Sequence, residues 1–472
     1  MDRNKQSKRQ SFKVIISEII MVVAVIITVA VLAFIVSGYW VNSDFEVKRQ
    51  GMLQVSSIPT GADVNIDGES SWLQRTNTSK VLSSGEHTVT LSKEGYDSWS
   101  KTVEIKEGLL YRLHYPRLFW QKRSPEKVLD TNGTTMAVIS SNHKSLVLIN
   151  NTTKWKYINL GQEELEPKTL DISKLFSGVS LAENSKTGLF TGKILDANWD
   201  YDAAHILFKV KNGDDIEWVL LDAKNVDKSL NITKEFGSNF SEIQILDNSS
   251  NNLLAIQNNN LHRINVPGRV VSAVLVENIH NFDHYENEVV FVASDPKSKP
   301  ESKVKNYIGY LQVGDDEIDR LTTISDAGKV VISKFYDEKY ITTLDQDKIS
   351  VYKEEEFVKY NDYNLSFVPE KIEVGHDGEF ITMYSGSRIA TLDMEANQVR
   401  EWEIENKNFD WIDNDMIYTV SGGELIVYDY DGFNRRVIAK NVSDHFPNGI
   451  TENKYLFYFS DDHLVREWVV EH

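Results

Sequence analysis

The most apolar stretch of the chain lies near its N-terminus. From Ile19 to Val36 only Thr28 is polar, and with its flanks to Val41 the stretch is long enough to cross ~30 Å of hydrocarbon as a helix. Residues 1–13 carry five basic residues and one acidic residue, a pattern that keeps a tail in the cytoplasm. The pattern therefore predicts a cytoplasmic basic tail at 1–13, a transmembrane signal-anchor helix at 14–41, and an extracytoplasmic remainder.

Two aromatic residues end this stretch. Tyr39 and Trp40 stand where aromatic side chains anchor a helix at the membrane interface. A cleaved signal peptide is one alternative, but its apolar core spans only about 7–15 residues, and small residues follow it at the cleavage site. A helix buried in a protein core is the second alternative. We expect an uncleaved anchor.

Residues 51–108 consist of short apolar strands separated by turn residues. Regular short strands with such punctuation indicate a small β-sandwich. Strands are expected at Leu53–Ile58, Asp63–Gly68, His87–Ser92 and Lys101–Ile105. Turns are expected at Pro59–Ala62, Asp67–Gly68, Ser84–Glu86 and Lys93–Tyr96.

This order resembles the PEGA domain, whose namesake motif stands here as Pro59-Thr60-Gly61-Ala62. Thr60 replaces the acidic second position of the family motif, and Arg75-Thr76-Asn77 stands where the family usually has Thr-Pro. The resemblance implies a non-catalytic, extracytoplasmic, prokaryotic module at 42–118 that serves attachment or protein contacts. The residues themselves agree, because glycine and proline suit turns. The structural motif residues are Pro59, Gly61, Ala62, Asp67, Gly68, Gly85, Gly95 and Tyr96.

Apolar strands recur from about residue 125 onward. Two strand ends, Asp222 and Asn265, lie 43 residues apart, and two others, Asp393 and Asp429, lie 36 apart. Periods near 40 residues with several strands each predict a β-propeller, here at 119–472, because a single blade cannot bury both of its faces. We count eight units with an insertion near 161–189, and seven blades result if the first and last units share one. The middle strands of the units are expected at 136–139, 206–208, 253–256, 289–292, 340–342, 380–383, 416–420 and 455–459.

Two segments resemble the Trp-Ser-Pro-Asp-Gly turn and following strand of TolB-type propellers. They are Asn198–Phe208 and, more weakly, Gly375–Ile381; both lack the Ser-Pro pair. The resemblance implies a binding platform with its ligand at the central channel or on one loop face. The expected fold class is therefore mainly β: an N-terminal transmembrane helix, a PEGA-like β-sandwich, and a seven- or eight-bladed propeller.

Charge and composition narrow the function. The chain has a net charge of −19, and without the tail and Glu18 the remainder carries −22. Such acidity disfavours a nucleic-acid partner, since phosphate neutralisation needs clustered basic side chains. The absence of cysteine excludes disulfides, thiolate metal sites and a cysteine nucleophile.

Two segments carry incomplete metal-binding patterns. His280 and His284, with Asp283 and Glu286, have metal-like spacing but lack the glutamate and the helix of a zinc protease motif, so we interpret them as a turn between strands. Asp429–Gly432 resembles part of a calcium loop without its later ligands, which favours a hairpin turn. Neither a Gly-x-Ser-x-Gly elbow nor a P-loop occurs. We expect no catalytic residues, no metal, no cofactor and no enzymatic activity.

Two functions fit these patterns. The favoured one is a membrane-anchored, extracytoplasmic binding or scaffold protein of the cell envelope, whose propeller recognises a protein or glycan while the PEGA-like module acts as a spacer or attachment module. Its expected partners are the lipid bilayer, through 14–41, and an envelope component. The alternative is a surface glycan-cleaving propeller, which abundant tryptophan and acidic residues suggest. Two carboxylates about 5–10 Å apart in a Trp-lined cleft would favour this alternative.

Overall fold

The computed structural model describes residues 21–29, 39–41, 47–180, 188–237, 239–246, 250–296, 306–315, 317–325 and 328–471. These residues fall into two compact units that divide between Gln121 and Lys122. The described residues include three helical segments. They are α1 at 21–29, the 3-10 turn Val226–Lys228 and α2 at Ile232–Phe236.

The N-terminal prediction is wrong at its C-terminal boundary. Strand β1 (Tyr39–Val41) pairs antiparallel with the start of β2 (Val47–Val55), so the expected helix does not extend to Val41. Aromatic and β-branched residues favour extended backbone, and pairing with β2 stabilises it here. Residues 1–20 and 30–38, which carry the rest of the expected tail and anchor, lie outside the described residues. Among the residues that are described, no helix has both the length and the apolarity needed to span a bilayer.

The first unit contains two four-stranded sheets. One has the order β1-β2-β5, with β8 pairing parallel to β2, and the other has the order β4-β3-β6-β7. The remaining strands are β3 (Asp63–Ile66), β4 (Glu69–Arg75), β5 (Thr78–Ser83), β6 (Gly85–Ser92), β7 (Trp99–Ile105) and β8 (Leu110–Leu113).

Alternating burial explains why these strands form. In β7, Trp99, Lys101, Val103 and Ile105 are buried while the residues between them are exposed, the period expected when one face of a sheet covers a core. Strands β4, β5 and β8 were not predicted from the sequence. The strand expected to reach Ile58 ends at Val55.

In its described residues, the second unit consists mainly of eight four-stranded antiparallel sheets, here called blades one to eight. The first strand of each blade is its innermost. Blades one to four are β10 (Thr134–Ile139), β11 (Ser145–Asn150), β12 (Lys154–Asn159), β13 (Lys168–Asp171); β16 (Lys193–Trp199), β17 (His205–Asn212), β18 (Asp215–Asp222), β19 (Leu230–Asn231); β20 (Glu242–Leu246), β21 (Asn252–Gln257), β22 (Asn260–Asn265), β23 (Val270–Val271); and β24 (Ile279–Tyr285), β25 (Glu288–Ser294), β26 (Asn306–Gln312), β27 (Asp319–Ile324).

The remaining blades follow the same plan. Blades five to eight are β28 (Lys329–Phe335), β29 (Glu338–Asp345), β30 (Lys348–Lys353), β31 (Val358–Asn364); β32 (Lys371–Val374), β33 (Phe380–Ser385), β34 (Arg388–Asp393), β35 (Gln398–Glu403); β36 (Phe409–Trp411), β37 (Met416–Ser421), β38 (Glu424–Asp429), β39 (Arg436–Lys440); and β40 (Gly449–Thr451), β41 (Tyr455–Ser460), β42 (His463–Trp468), β9 (Glu126–Asp130).

Blade eight joins the two ends of the unit. Its outermost strand, β9, precedes blade one in the chain and pairs with β42. The count of eight units therefore holds although the ends do share a blade. One strand was assigned to the wrong position: 136–139 lies in the innermost strand of blade one, not in its second strand, because β9 belongs to blade eight.

Apolar cores between successive blades close the ring. Trp155 of blade one packs with Phe208 of blade two, and the same kind of shared core joins each pair of blades as far as blades six and seven. Ile450 of blade eight donates its backbone N–H to the carbonyl of Ile412 after β36, at 2.8 Å. A further core joins blades eight and one. These contacts make the unit an eight-bladed β-propeller.

The insertion predicted at 161–189 is displaced. Residues 168–171 form the outermost strand of blade one, and the extra segment runs instead between Asp171 and Lys193. It carries the short hairpin of β14 (Val179–Ser180) and β15 (Leu189–Phe190). Phe176 and Phe190 pack on Trp155, so this segment extends the core between blades one and two.

Candidate ligand site at the centre of the propeller

The ends of the innermost strands of blades two to six, together with Ser141 of blade one, line a cavity of about 780 Å³, here called the main cavity. Its volume lies within the range of small-ligand sites in proteins. It is lined by both TolB-like turns and by residues of β20, β24 and β28. Among its lining residues are Trp199, Tyr201, Asp283, His284, Ser333 and His376.

The turn after β16 is held by a buried carboxylate. Asp200 accepts hydrogen bonds from the backbone N–H groups of Ala204 and His205, at 2.7 and 2.9 Å, and contacts His205 Nδ1 at 2.7 Å. Burial alone raises the pKa of Asp200, but the hydrogen bonds from His205 and Ala204 outweigh it and lower the pKa. This turn was predicted from the sequence, and Asp200 gives it a fixed shape beside the cavity.

An aromatic contact crosses the channel. Tyr201 follows the innermost strand of blade two, and His376 follows that of blade six. Their rings stack with centroids 5.5 Å apart and planes inclined by 19°. Blades two and six stand opposite each other in a ring of eight, so the stack bridges the channel. Burial lowers the pKa of His376, with Asp377 opposing this effect.

Side chains of β24 reach both neighbouring blades. Asn281 Oδ1 and Asp283 Oδ2 accept the backbone N–H groups of Val330 and Ile332, at 3.1 and 2.9 Å. These contacts satisfy N–H groups on the inner edge of β28, where no further strand pairs. Burial raises the pKa of Asp283 to about 6, and Glu242 adds to this effect.

His284 contacts blade three, on the other side of β24 from blade five. Its Nε2 contacts the backbone carbonyl of Ile245 in blade three. A carbonyl oxygen only accepts, so Nε2 carries the proton and Nδ1 is left as an acceptor. Burial lowers the pKa of His284 to about 4, which keeps the ring neutral at physiological pH.

A second cavity, of about 550 Å³, lies between blades one, two, six and seven and is here called the side cavity. It is lined by Trp199, Trp411, His143, Glu373 and Asp410, among others. Enclosure within the ring raises the pKa of Asp410 to about 6, and Glu373 adds to this effect, although the Asp410 side chain stays accessible to water. Glu373 accepts a hydrogen bond from Tyr384 Oη at 2.7 Å.

The predicted metal-like segment is a turn only at its end, where Glu286 lies between β24 and β25. His280 and His284 both lie within the strand β24, which is a correction of the sequence interpretation. Four residues of strand separate their backbones by roughly 13 Å. His280 bonds Ser294 at 2.7 Å, whereas His284 bonds back to blade three, so the two histidines do not share a ligand.

The calcium-like segment is a turn, as predicted. Asp429 ends β38, and Gly432 donates its N–H to the Asp429 carbonyl at 2.9 Å. Asn434 Nδ2 donates a hydrogen bond to the Asp429 carboxylate at 2.8 Å. Tyr430 points its hydroxyl to Asp393, at 2.5 Å. The acidic residues of this segment therefore bond within the protein.

Most motif residues of the first unit lie in turns or in its core, whereas Gly85 is the exposed first residue of β6. Ala62 and Tyr96 are buried. Positive φ angles occur at Asp67 and at the four motif glycines. Pro59 follows a cis peptide bond. The residues concerned are Pro59, Gly61, Ala62, Asp67, Gly68, Gly85, Gly95 and Tyr96.

A serine, a histidine and an aspartate also meet in the first unit. His87 Nδ1 contacts Asp67 at 2.6 Å, and Nε2 lies 3.4 Å from Ser83 Oγ. However, Nε2 lies closer to the Ser83 carbonyl oxygen, at 2.8 Å. Donation to that oxygen leaves Nε2 without a lone pair to accept the serine proton, so this arrangement does not activate Ser83 as a nucleophile.

The residues that line the two cavities were mostly missed by sequence reasoning. Tyr201 and His376 lie inside the two TolB-like segments, at corresponding turns, and that repetition was the available signal. Ser333 and Asp410 lie in ordinary strand patterns, with no signal of their own.

Comparisons with known proteins agree with the architecture. Residues 50–116 match the PEGA domain family, which confirms the predicted resemblance. A comparison with curated proteins finds no match. A β-propeller together with a PEGA domain fits a binding or scaffold role.

Three solved structures show some similarity to the chain. The C-terminal WD40 domain of Sif2 has 12% identity and a TM-score of 0.46, over 74% of this chain and 99% of that one. AztD from Citrobacter koseri has 11% identity and a TM-score of 0.40, over 84% and 96%. An oligogalacturonate lyase in complex with manganese has 12% identity and a TM-score of 0.40, over 58% and 88%. At these scores the propeller assignment rests on the sheets of this chain alone.

Proposed function

We propose that this protein is a membrane-anchored, extracytoplasmic binding or scaffold protein of the cell envelope, whose propeller recognises a protein or glycan at its central channel. The observation that carries the proposal is the main cavity, where blades one to six contribute aromatic, acidic and neutral polar residues to one concave surface. Such convergence is typical of ligand sites in proteins.

The sequence supports the envelope location. The basic tail at 1–13 and the apolar stretch that follows it suit an uncleaved signal anchor. The PEGA domain then acts as a spacer or attachment module between the bilayer and the propeller. A chain without cysteine has no disulfides and depends on strand packing for its stability. The pairing of β9 with β42 in blade eight closes the ring by such packing.

Protease treatment of spheroplasts tests the location. The full chain is expressed with an epitope after His472, and protease is added with the membrane intact. We expect the C-terminal epitope to be lost while a cytoplasmic marker protein stays whole. An epitope that survives until the membrane is opened contradicts the extracytoplasmic placement.

Glycan cleavage is a second candidate function, favoured by the side cavity. There Asp410, with its raised pKa, lies near Glu373 and beside Trp411, the residue types of a carboxylate pair that hydrolyses glycosidic bonds. Incubation with oligosaccharides and measurement of new reducing ends separates the two functions. Binding without cleavage supports the favoured function, whereas cleavage that Asp410→Asn abolishes supports the alternative.

A further inference from the structure

Four large apolar side chains are exposed in the part of the first unit after β1 whose side chains the structure describes. They are Met52, Val81, Leu109 and Leu110, each at least 40% exposed. Met52 is the direct cross-strand partner of Val81 in β5 and of Leu110 in β8. Its backbone N–H donates to the Leu109 carbonyl at 2.9 Å. The four residues therefore form one surface, here called the apolar patch.

The apolar patch lies on the outer face of its sheet. Leu53 and Leu82, the next residues along β2 and β5, point to the other face and are buried. A Cβ on Gly51 would lie 2.6 Å from Cγ2 of Ile105 in β7, so the inner face of this sheet packs against the second sheet of the unit. Contiguous exposed apolar side chains, unlike scattered single ones, mark an interaction site.

The apolar patch lies close to the apolar N-terminal stretch along the chain. That stretch ends at Val36, three residues before Tyr39, and three residues span at most about 11 Å. Tyr39 pairs with Arg49, which precedes Met52 by about 10 Å of strand. The patch therefore lies within about 25 Å of the end of the apolar stretch.

The residue types beside the patch suit a bilayer surface. The pairing of β1 with β2 places Tyr39 opposite Arg49 and Trp40 opposite Lys48. Tyrosine and tryptophan are enriched at membrane interfaces, and basic side chains are attracted to anionic lipid headgroups. In the turn before Leu109, the exposed Lys106 stands next to one acidic residue, Glu107.

The size of the patch favours a bilayer over a second copy of the chain. Stable interfaces between proteins involve roughly 20–30 residues on each side, far more than the four of the apolar patch. A bilayer that already holds the same chain needs no such area, because the short connection makes the contact intramolecular and its effective concentration high.

We propose that the apolar patch inserts into the headgroup region of the bilayer that holds the N-terminal anchor, so that the PEGA domain lies against the membrane. This inference rests on the membrane anchoring of the proposed function and adds a second bilayer contact, made by Met52, Val81, Leu109 and Leu110. The PEGA domain then serves attachment, and the propeller follows from a module that is fixed at the membrane surface.

Site-specific fluorescence quenching tests the inference. The chain has no cysteine, so a single introduced cysteine is the only site that a thiol-reactive fluorophore labels. The fluorophore NBD is attached to full-length Val81→Cys or Leu109→Cys, and to Thr102→Cys as the control, since Thr102 is exposed on the outer face of the second sheet. Each protein is reconstituted into phosphatidylcholine–phosphatidylglycerol vesicles, with or without lipids that carry a nitroxide quencher on the headgroup.

We expect the nitroxide lipids to remove most of the NBD fluorescence at positions 81 and 109 and little of it at position 102. The second sheet holds position 102 about 10 Å further from the bilayer, and nitroxides quench only at short range.

Two matched variants test the role of the patch itself. Leu109→Asp and Leu189→Asp each replace an exposed leucine, at 59% and 55% exposure, and Leu189 lies in β15 of the second unit. Both are made in the NBD-labelled Val81→Cys protein. Leu109→Asp should remove at least about half of the quenching, because it replaces one of four inserted apolar side chains with an anion, whereas Leu189→Asp should leave the quenching unchanged.

Flotation of the vesicles on a density gradient separates two kinds of failure. If the chain floats with the vesicles but positions 81 and 109 are quenched no more than position 102, the anchoring stands and the patch contact is wrong. A blue-shifted NBD emission at position 109 without quenching by the lipids would show that protein covers the patch, which also overturns the inference. Equal quenching in Leu109→Asp and Leu189→Asp contradicts it as well. A chain that does not float contradicts both the anchoring and the patch contact.

Discussion

Asp283 carries a carboxylate that folding makes harder to ionise. Burial raises its pKa to about 6, from an ordinary value of 3.8. Above pH 6 the carboxylate is charged in both the folded and unfolded states, and the folded state bears the full cost of burying it. As the pH falls from 6 toward 3.8, the folded state takes up the proton first, so stability rises and this cost disappears.

Asp283→Asn should therefore stabilise the protein in a pH-dependent way. The amide oxygen can still accept the Ile332 N–H, while the buried charge is gone. We expect the free energy of unfolding to rise by about 1–2 kcal/mol at pH 8, with the gain vanishing near pH 4. Urea unfolding at several pH values measures this. A gain that is constant with pH contradicts the assignment of the cost to ionisation.

The Trp120 ring leaves no room for a side chain at Gly95. Its φ angle is +79°, and a Cβ there would lie 2.2 Å from the Trp120 ring. Gly95→Ala should therefore destabilise the first unit by about 2–4 kcal/mol, through both backbone strain and the clash. Gly108→Ala is the matched control, because φ is +70° but no atom lies within 4 Å, so only the strain of about 1–2 kcal/mol applies.

Hydrogen exchange of the β6 and β7 amides in the full chain measures both glycine variants. Equal losses of protection for Gly95→Ala and Gly108→Ala would show that the Trp120 contact contributes nothing.

Single residues of the candidate site were the hardest to predict. Strand alternation indicates whether a side chain is buried, but Asp283 and His284 bond to the blades on either side of β24. These contacts arise from ring geometry, which no local pattern contains. Gly95 and Asp67, by contrast, were predicted as turn residues, because positive φ is a local property.

At the scale of elements, closure of the ring depends on β9. Leu129 pairs with Leu464 in β42, and this pairing completes blade eight. Proline at this position cannot donate to a ladder and distorts the strand. Leu129→Pro should lower the free energy of unfolding of the propeller by about 3 kcal/mol.

Val270→Pro provides the comparison. Val270 lies in β23, the outermost strand of blade three, and is exposed. Since β23 closes no ring, we expect a much smaller loss from this substitution. Urea unfolding followed by tryptophan fluorescence measures both variants, and an equal loss would contradict a special role for β9.

Most blades could be predicted from the sequence, because the apolar second strand of each blade recurs with a period near 40 residues. The first blade was misplaced by one strand, since β9 adjoins blade one in the chain but pairs with β42 in space. The short inner strands, such as Phe409–Trp411 and Gly449–Thr451, have too few residues to show a period. Their positions follow from the blades that flank them.

At the scale of the whole molecule, the chain combines a basic and apolar N-terminal sequence, a PEGA domain and a propeller with a central cavity. The net charge of −19 combines a basic tail with an acidic remainder. Acidic residues line the main cavity as well. The domain types could be predicted from sequence, while the location and chemistry of the cavity required the closed ring.

Hydrogen exchange of the full chain, with and without solubilised envelope material from its own cells, tests the central claim most directly. The account predicts that bound envelope material slows exchange at the ends of the inner strands of blades two to six, around Trp199, Asp283, Ser333 and His376. Tyr201→Ala should reduce that protection, whereas Tyr360→Ala, in the outermost strand of blade five, should not. Protection that is absent, or confined to outermost strands, would contradict a ligand site at the centre of the propeller.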